Sequence, residues 1–301
     1  MNRLVRQDAS LPDAVHRSAL PALLLGGVAI GCSPIFVRVS EVGPIATAFW
    51  RLVLALLPLL VVYQRRRSGA PGHRPQTLRE YFEVSAPGLF LAADLAAWHI
   101  SLHITSVANA TLLVNVAPIF VTLFSWLALG QRISGVFLAG LGVAIVGIIV
   151  LKGGPTALGG GDIRGDLVAI TAAALYAGYI LLLGRARKRY PTTTIMLWST
   201  ISAACCTGLL AVLTEPQLLP VTGRGWLILL GLAWVSQAGG QSLIAFALAW
   251  LPTTLSALTL LIQPVVAALL AWALLHEPLT SFQIVGGLIV IGGIALARRG
   301  S

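Results

Sequence analysis

Ten apolar runs, each long enough to approach or cross ~30 Å of hydrocarbon at 1.5 Å per helical residue, fill most of this sequence. They extend over Leu20–Val37, Pro44–Tyr63, Glu83–Thr105, Ala108–Leu129, Ser134–Leu151, Leu167–Leu183, Thr194–Leu213, Trp226–Leu248, Thr253–Leu275 and Phe282–Ala297. Lipid offers backbone amides no partner, so such runs must satisfy their N–H and C=O groups internally, which a helix does within one segment. The expected fold class is all-α: a polytopic membrane protein of ten transmembrane helices, with the lipid bilayer as its outer solvent.

Charge agrees with that reading. Only 10% of residues are charged and 57% are hydrophobic, against about 25% charged in soluble domains. The net charge of +10 does not indicate nucleic acid, because the basic residues sit in short loops and tails and form no continuous face with interleaved aromatics. With the N-terminus inside, fifteen of the 20 basic residues fall in the cytoplasm and only Arg38, Lys152, Arg164 and Arg224 outside, leaving Arg51 within the membrane. Both termini are expected in the cytoplasm of a bacterial-type inner membrane. Cys32, Cys205 and Cys206 lie in apolar runs and form no disulfide framework or metal spacing. Ala29-Ile30-Gly31-Cys32 resembles a lipoprotein cleavage box, but it reads as part of the first helix.

Pro118, Trp126, Gly140 and Gly147 recur as Pro264, Trp272, Gly286 and Gly293, each 146 positions later. This is an internal repeat. Five helices per copy, an odd number, invert the second copy relative to the first. The chain divides accordingly into a tail at 1–18, a five-helix repeat at 19–152, an extracytoplasmic linker at 153–165 and a second repeat at 166–301.

Two inverted five-helix halves, the run Ser106-Val107-Ala108-Asn109-Ala110 opening the fourth helix, Pro118 within it, and Gln263-Pro264 through His276-Glu277-Pro278 in the second half together resemble the EamA-type drug/metabolite transporter family. The resemblance covers nearly the whole chain after the first eighteen residues. It implies a central cavity lined mainly by helices one to four and six to nine, with helices five and ten peripheral, and alternating access. This sequence departs from the family by carrying Gln131 where an acidic residue often follows helix four, although Glu277 keeps the charge in the second copy.

Asp94 lies near the middle of the third run, where a carboxylate costs roughly 2.5 to 3.5 kcal/mol on insertion scales. Helical spacing places Asp94, Trp98, Ser101 and Thr105 on one face. The carboxylate is therefore a candidate cation site or proton carrier, or else a structural ion pair with Arg51. Thr111, Asn115, Pro118 and Thr122 make a stripe on the fourth helix. Gln237 with Gln241, and Thr259 with Gln263, are stacked i,i+4 pairs. These neutral groups can line a pathway or bind helices together. Pro34, Pro118 and Pro264 interrupt helices and free carbonyls. Tyr176, Tyr179, Trp98 and Trp234 can stack on a ring or a cation. Gly27 with Gly31, Gly239 with Gly240, and Gly286 with Gly287 allow close helix approach.

His99 and His103, four apart on the third run, are the best argument for an intramembrane enzyme or metal-binding protein. No zincin motif accompanies them, and Asp94 lies about 140° around the helix from His99. Gly153 to Gly161 lacks the Lys-Ser/Thr of a nucleotide loop, so no ATP motor is encoded. No cofactor is expected. The leading expectation is a secondary transporter that exports a small organic metabolite or amino-acid-like compound, with protons as the coupling ion. Its candidate site is Arg51, Asp94, Trp98, Ser101, Asn115, Tyr176, Tyr179, Gln237, Gln241 and Gln263. Metal analysis of purified protein separates the alternative.

Overall fold

The computed structural model describes residues 10–67, 74–105, 113–151, 153, 162–275 and 280–300, and among them every regular element is a helix. In chain order these are α1 (Ser10–Gly31), α2 (Ser33–Arg38), α3 (Pro44–Arg67), α4 (Leu78–Ile104), α5 (Ala117–Leu129), α6 (Gly135–Leu151), α7 (Ile163–Arg187), α8 (Thr192–Thr214) and α9 (Gly223–Gly231). A π-helical stretch, Leu232–Gln241, leads into α10 (Ser242–Ala247), followed by α11 (Thr253–Thr259), α12 (Ile262–Leu275) and α13 (Ser281–Arg298). Among the described residues seven helical segments are long and apolar enough to cross a membrane, and Ala117–Ala128 and Gly135–Leu151 are shorter apolar helices.

Local chemistry sets the helix ends. α4 begins five residues before the apolar run does, because Thr77 and Glu80 form a capping box in which each side chain accepts from the other residue's backbone N–H. Thr280 and Gln283 cap α13 the same way. Glu215, at the end of α8, accepts from Ile45 N (2.6 Å) and Ala46 N (2.9 Å), so one carboxylate covers the N-terminal amides of α3. Glu41 accepts from Val221 N and Thr222 N, both at 3.0 Å, and from the Thr222 hydroxyl. Those hydrogen bonds, the Thr222 hydroxyl first, hold the Glu41 carboxyl below its ordinary value.

Three prolines stand at helix breaks. α1 gives way to α2 at Cys32, with Pro34 in the first turn of α2. Pro118 opens α5, where its missing N–H costs nothing. The run containing Pro264 is divided at Leu260–Leu261, between α11 and α12. The eighth apolar run departs differently: its middle widens to the i→i+5 pattern of a π-helix, a rare state often found at functional positions.

The helices pack as two groups joined by a pair. α4, α5 and α7 lie together, as do α1, α12 and the π stretch with α10; α3 and α8 pack on each other, α3 also touching the π stretch and α8 also touching α4. α6 and α13 form a further close pair, α13 also touching α11 and α12. Lipid supplies no hydrophobic drive between helices, so small residues that admit intimate van der Waals contact decide where backbones meet. Between α6 and α13 these are the repeated glycines. A methyl on Gly147 would lie 2.6 Å from Val290 N, and one on Gly293 would lie 2.5 Å from Ala144 N. Gly27 and Gly31 likewise admit Ile262 and Val266 of α12 against α1.

Gly292 has open space where its neighbour Gly293 does not. Gly293→Ala is therefore expected to lower the melting temperature of the detergent-solubilised protein, at a cost of about 1–3 kcal/mol from overpacking. Gly292→Ala should leave it unchanged or raise it slightly. Equal melting of the two variants would contradict the packing described.

Candidate functional site

Five elements bring polar side chains to the middle of the helix assembly. α3 presents Arg51, two turns in from its Glu215-capped end, and α4 presents Asp94. α7 supplies Tyr176 and Tyr179, whose rings lie 5.8 Å apart, and the π stretch supplies Gln237 and Gln241. Arg51 Nε donates to Gln237 Oε1 at 3.1 Å. Tyr179, only 1% exposed, donates through its hydroxyl to Gln241 Oε1 at 2.8 Å. Gln263 of α12 faces the Tyr176 hydroxyl.

Asp94 is 7% exposed, and its Oδ1 accepts no hydrogen bond from the protein. Arg51 and Asp94 attract each other electrostatically, yet no ion pair of 4.0 Å or less joins them. The direct ion pair, the structural alternative for these two charges, is therefore not formed. The amide nitrogens of Gln237 and Gln263 are also buried without a partner. Buried polar groups in proteins are normally satisfied, and an unpartnered carboxylate oxygen costs more than a neutral group. The centre thus offers one carboxyl acceptor and two amide donors beside a guanidinium. These can receive a ligand that carries a cationic donor together with acceptor oxygens.

Other candidates are placed elsewhere. Ser101 is fully buried but donates to the Trp98 carbonyl of its own helix at 2.6 Å, and Thr105 donates to Asp166 Oδ1 at 2.6 Å, tying the end of α4 to the start of α7. Thr122 and Thr259 donate to Pro118 O and Leu255 O within their own helices. Trp98 is half-buried on α4, and Asn115 lies in the turn before α5. Trp234 is 52% exposed and donates to Leu54 O at 3.2 Å, so it faces outward and is not part of the centre. Thr111 lies outside the described residues, as do the side chains of His99 and His103 and the residues around Glu277. Among the described residues no group of three His, Cys, Asp or Glu could hold a metal ion.

Sequence reasoning missed the π stretch, which gives Gln237 and Gln241 their reach to Arg51 and Tyr179. No composition signal marks it apart from Gly239-Gly240. It also missed Arg187, whose Nε donates to Ala245 O at 2.8 Å and whose Nη1 donates to Tyr190 O.

The model of the EamA-like transporter family matches residues 17–152 and again 163–299. An uncharacterized transporter of Archaeoglobus fulgidus is 26% identical over 280 residues, covering 92% of this chain and 95% of that protein. The pseudopaline exporter CntI of Pseudomonas aeruginosa is 28% identical over 213 residues, covering 70% of this chain and 73% of its own. A solved crystal structure superposes with a TM-score of 0.79 at 20% identity over 94% of this chain and 97% of that one, which speaks to the fold alone. With both halves matched, the chain belongs to the EamA-like transporter family.

Proposed function

We propose that this protein is a secondary transporter that exports a small organic metabolite or amino-acid-like compound by alternating access, with protons as the coupling ion at Asp94. The carrying observation is the buried Asp94 oxygen without a partner, near Arg51 but not paired with it. A bilayer tolerates such a group where a substrate or a proton completes it. Arg51 with Gln237 is suited to a carboxylate, Asp94 to an ammonium, and the Tyr176–Tyr179 pair to an adjoining apolar or cationic portion. A zwitterion fits this set better than a doubly anionic phosphate, for which Arg51 alone is too little positive charge. The name of the Pseudomonas relative, an exporter, favours the outward direction.

The wider architecture in this proposal is ten membrane-crossing helices in two inverted repeats, 19–152 and 166–301, with both termini in the cytoplasm of an inner membrane. Two family-model matches support the division. So does the packing. Exchange of the halves maps α4–α7 onto α1 with the π stretch, α4–α8 onto α3 with the π stretch, and α5–α7 onto α12–α1, while α3–α8 and α6–α13 map onto themselves. An odd number of crossings per half then inverts one copy. The charge asymmetry of the loops supports the orientation.

The test compares metabolites in cells and medium of hosts producing equal membrane amounts of the wild-type protein or Asp94→Asn. A compound should build up in the medium with wild type only. Identical metabolite profiles for an empty host and the wild-type host would overturn the export reading.

Once that compound is known, vesicles with an imposed pH gradient test the coupling. Uphill transport should be lost in Asp94→Asn while the protein remains folded, and undiminished uphill transport would refute a proton role. Gln237→Leu removes the Arg51 hydrogen bond and is expected to weaken apparent substrate affinity about tenfold, the worth of one bond to a charged group.

A further inference from the structure

The stripe Tyr176, Tyr179, Leu183, Arg187 runs along α7 at helical spacing, and from Tyr179 onward it faces the other helix group. Tyr179 and Arg187 each make a hydrogen bond across the division between groups, to Gln241 and to Ala245 O. Between them the contact is apolar and close: Leu183, Ile244, Ala245 and Leu248 share one buried cluster, and a methyl on Gly184 would lie 3.0 Å from the Thr253 hydroxyl. α7 also packs against α10 and α11, and α5 against α11.

Arg187 occupies an unusual position there. α10 tightens as it ends, so that Ala249 N bonds Phe246 O and leaves the Ala245 carbonyl without its helical partner. Arg187 Nε takes that carbonyl, while Nη1 takes the Tyr190 carbonyl just past the end of α7. Two helix C-termini, each with partial negative charge, thus converge on one guanidinium. One of these ends belongs to each group. Neighbouring Arg189 differs: it pairs with Glu80 at 3.0 Å and Glu83 at 3.2 Å, both on α4, and so stays within a single group.

We propose that Arg187 is a latch that closes one end of the central chamber: its guanidinium, shared between the carbonyls that end α7 and α10, must release Ala245 before the two groups part and the centre opens on the Arg187 side. The Tyr179–Gln241 hydrogen bond is the other polar contact across the division, while the Ala245 carbonyl reaches water as it is freed and Arg187 keeps Tyr190. A planar fork that serves two carbonyls at once is a task for arginine rather than lysine. The latch rests on the transport reading above, because it gates the site that reading assigns.

The test uses Leu248→Cys, buried just behind the latch, in a background lacking Cys32, Cys205 and Cys206, with the protein in lipid nanodiscs and a membrane-impermeant maleimide as the probe. Adding Arg187→Gln should speed labelling about ten- to hundredfold, the worth of one charge-assisted hydrogen bond, while Arg189→Gln leaves it unchanged. Arg187→Lys should fall between parent and Arg187→Gln; it also serves as the test variant should Arg187→Gln not assemble, again by faster labelling than the parent. A parental rate in the Arg187 variants, or equal acceleration by Arg189→Gln, would overturn the latch. Labelling needs no substrate, so the two ideas separate: a parental rate with export intact defeats the latch alone, and faster labelling in a protein that exports nothing defeats the transport reading alone.

Discussion

Hydrocarbon gives a backbone carbonyl no partner from solvent, and this constraint shapes the irregular backbone of the described helices. Where the ladder breaks or widens, a side chain takes the freed oxygen or holds helices together beside it. Ser236, in the π stretch, bonds Ala29 O at 2.8 Å, close to where α1 gives way to α2. Trp50 reaches Leu218 O at 2.6 Å, and Trp234 reaches Leu54 O. Irregular backbone is therefore stitched between elements, and the stitching fixes the positions of the side chains that remain unpaired.

The unpaired carboxylate and amide groups collect in one place. The hydroxyls of Ser33, Ser125, Thr200 and Ser256 and the Trp198 indole are also buried without a partner, but the carboxylate and amide groups so placed are Asp94 Oδ1, Gln237 Nε2 and Gln263 Nε2, on α4, the π stretch and α12. The first two elements are equivalent in the half-exchange described above, so the asymmetry between copies is itself informative. The first copy contributes the carboxylate on a regular helix; the second contributes neutral amides on a widened one. Repetition supplies the scaffold, and the copies diverge in the polar groups they carry at equivalent places.

Much of the fold was legible in the sequence. Apolar length located the helices, proline located the breaks at Cys32, before Pro118 and at Leu260–Leu261, and the recurring glycines now pack α6 against α13. The site was only partly legible. Helical spacing places Ser101 and Thr259 on the same stripes as Asp94 and Gln263, but it cannot say that a short hydroxyl will turn back to its own helix carbonyl, as both do. Periodicity puts Trp234 near Gln237, yet a π ladder changes the angle per residue and turns the indole outward. Arg187 counted in the sequence only as one more loop-proximal positive charge; its partners are carbonyls, which carry no signature in side-chain identity.

The central claim is that Arg51 and Asp94 act as one charged centre without forming an ion pair. A double-substitution cycle on the initial transport rate of the exported compound, measured in vesicles for the wild type, Arg51→Gln, Asp94→Asn and the two combined, addresses it most directly. If the two charges grip one substrate, either single change should remove most of the rate and the combination should do little further harm. Independent losses that simply multiply, or near-normal transport in either single variant, would contradict the account.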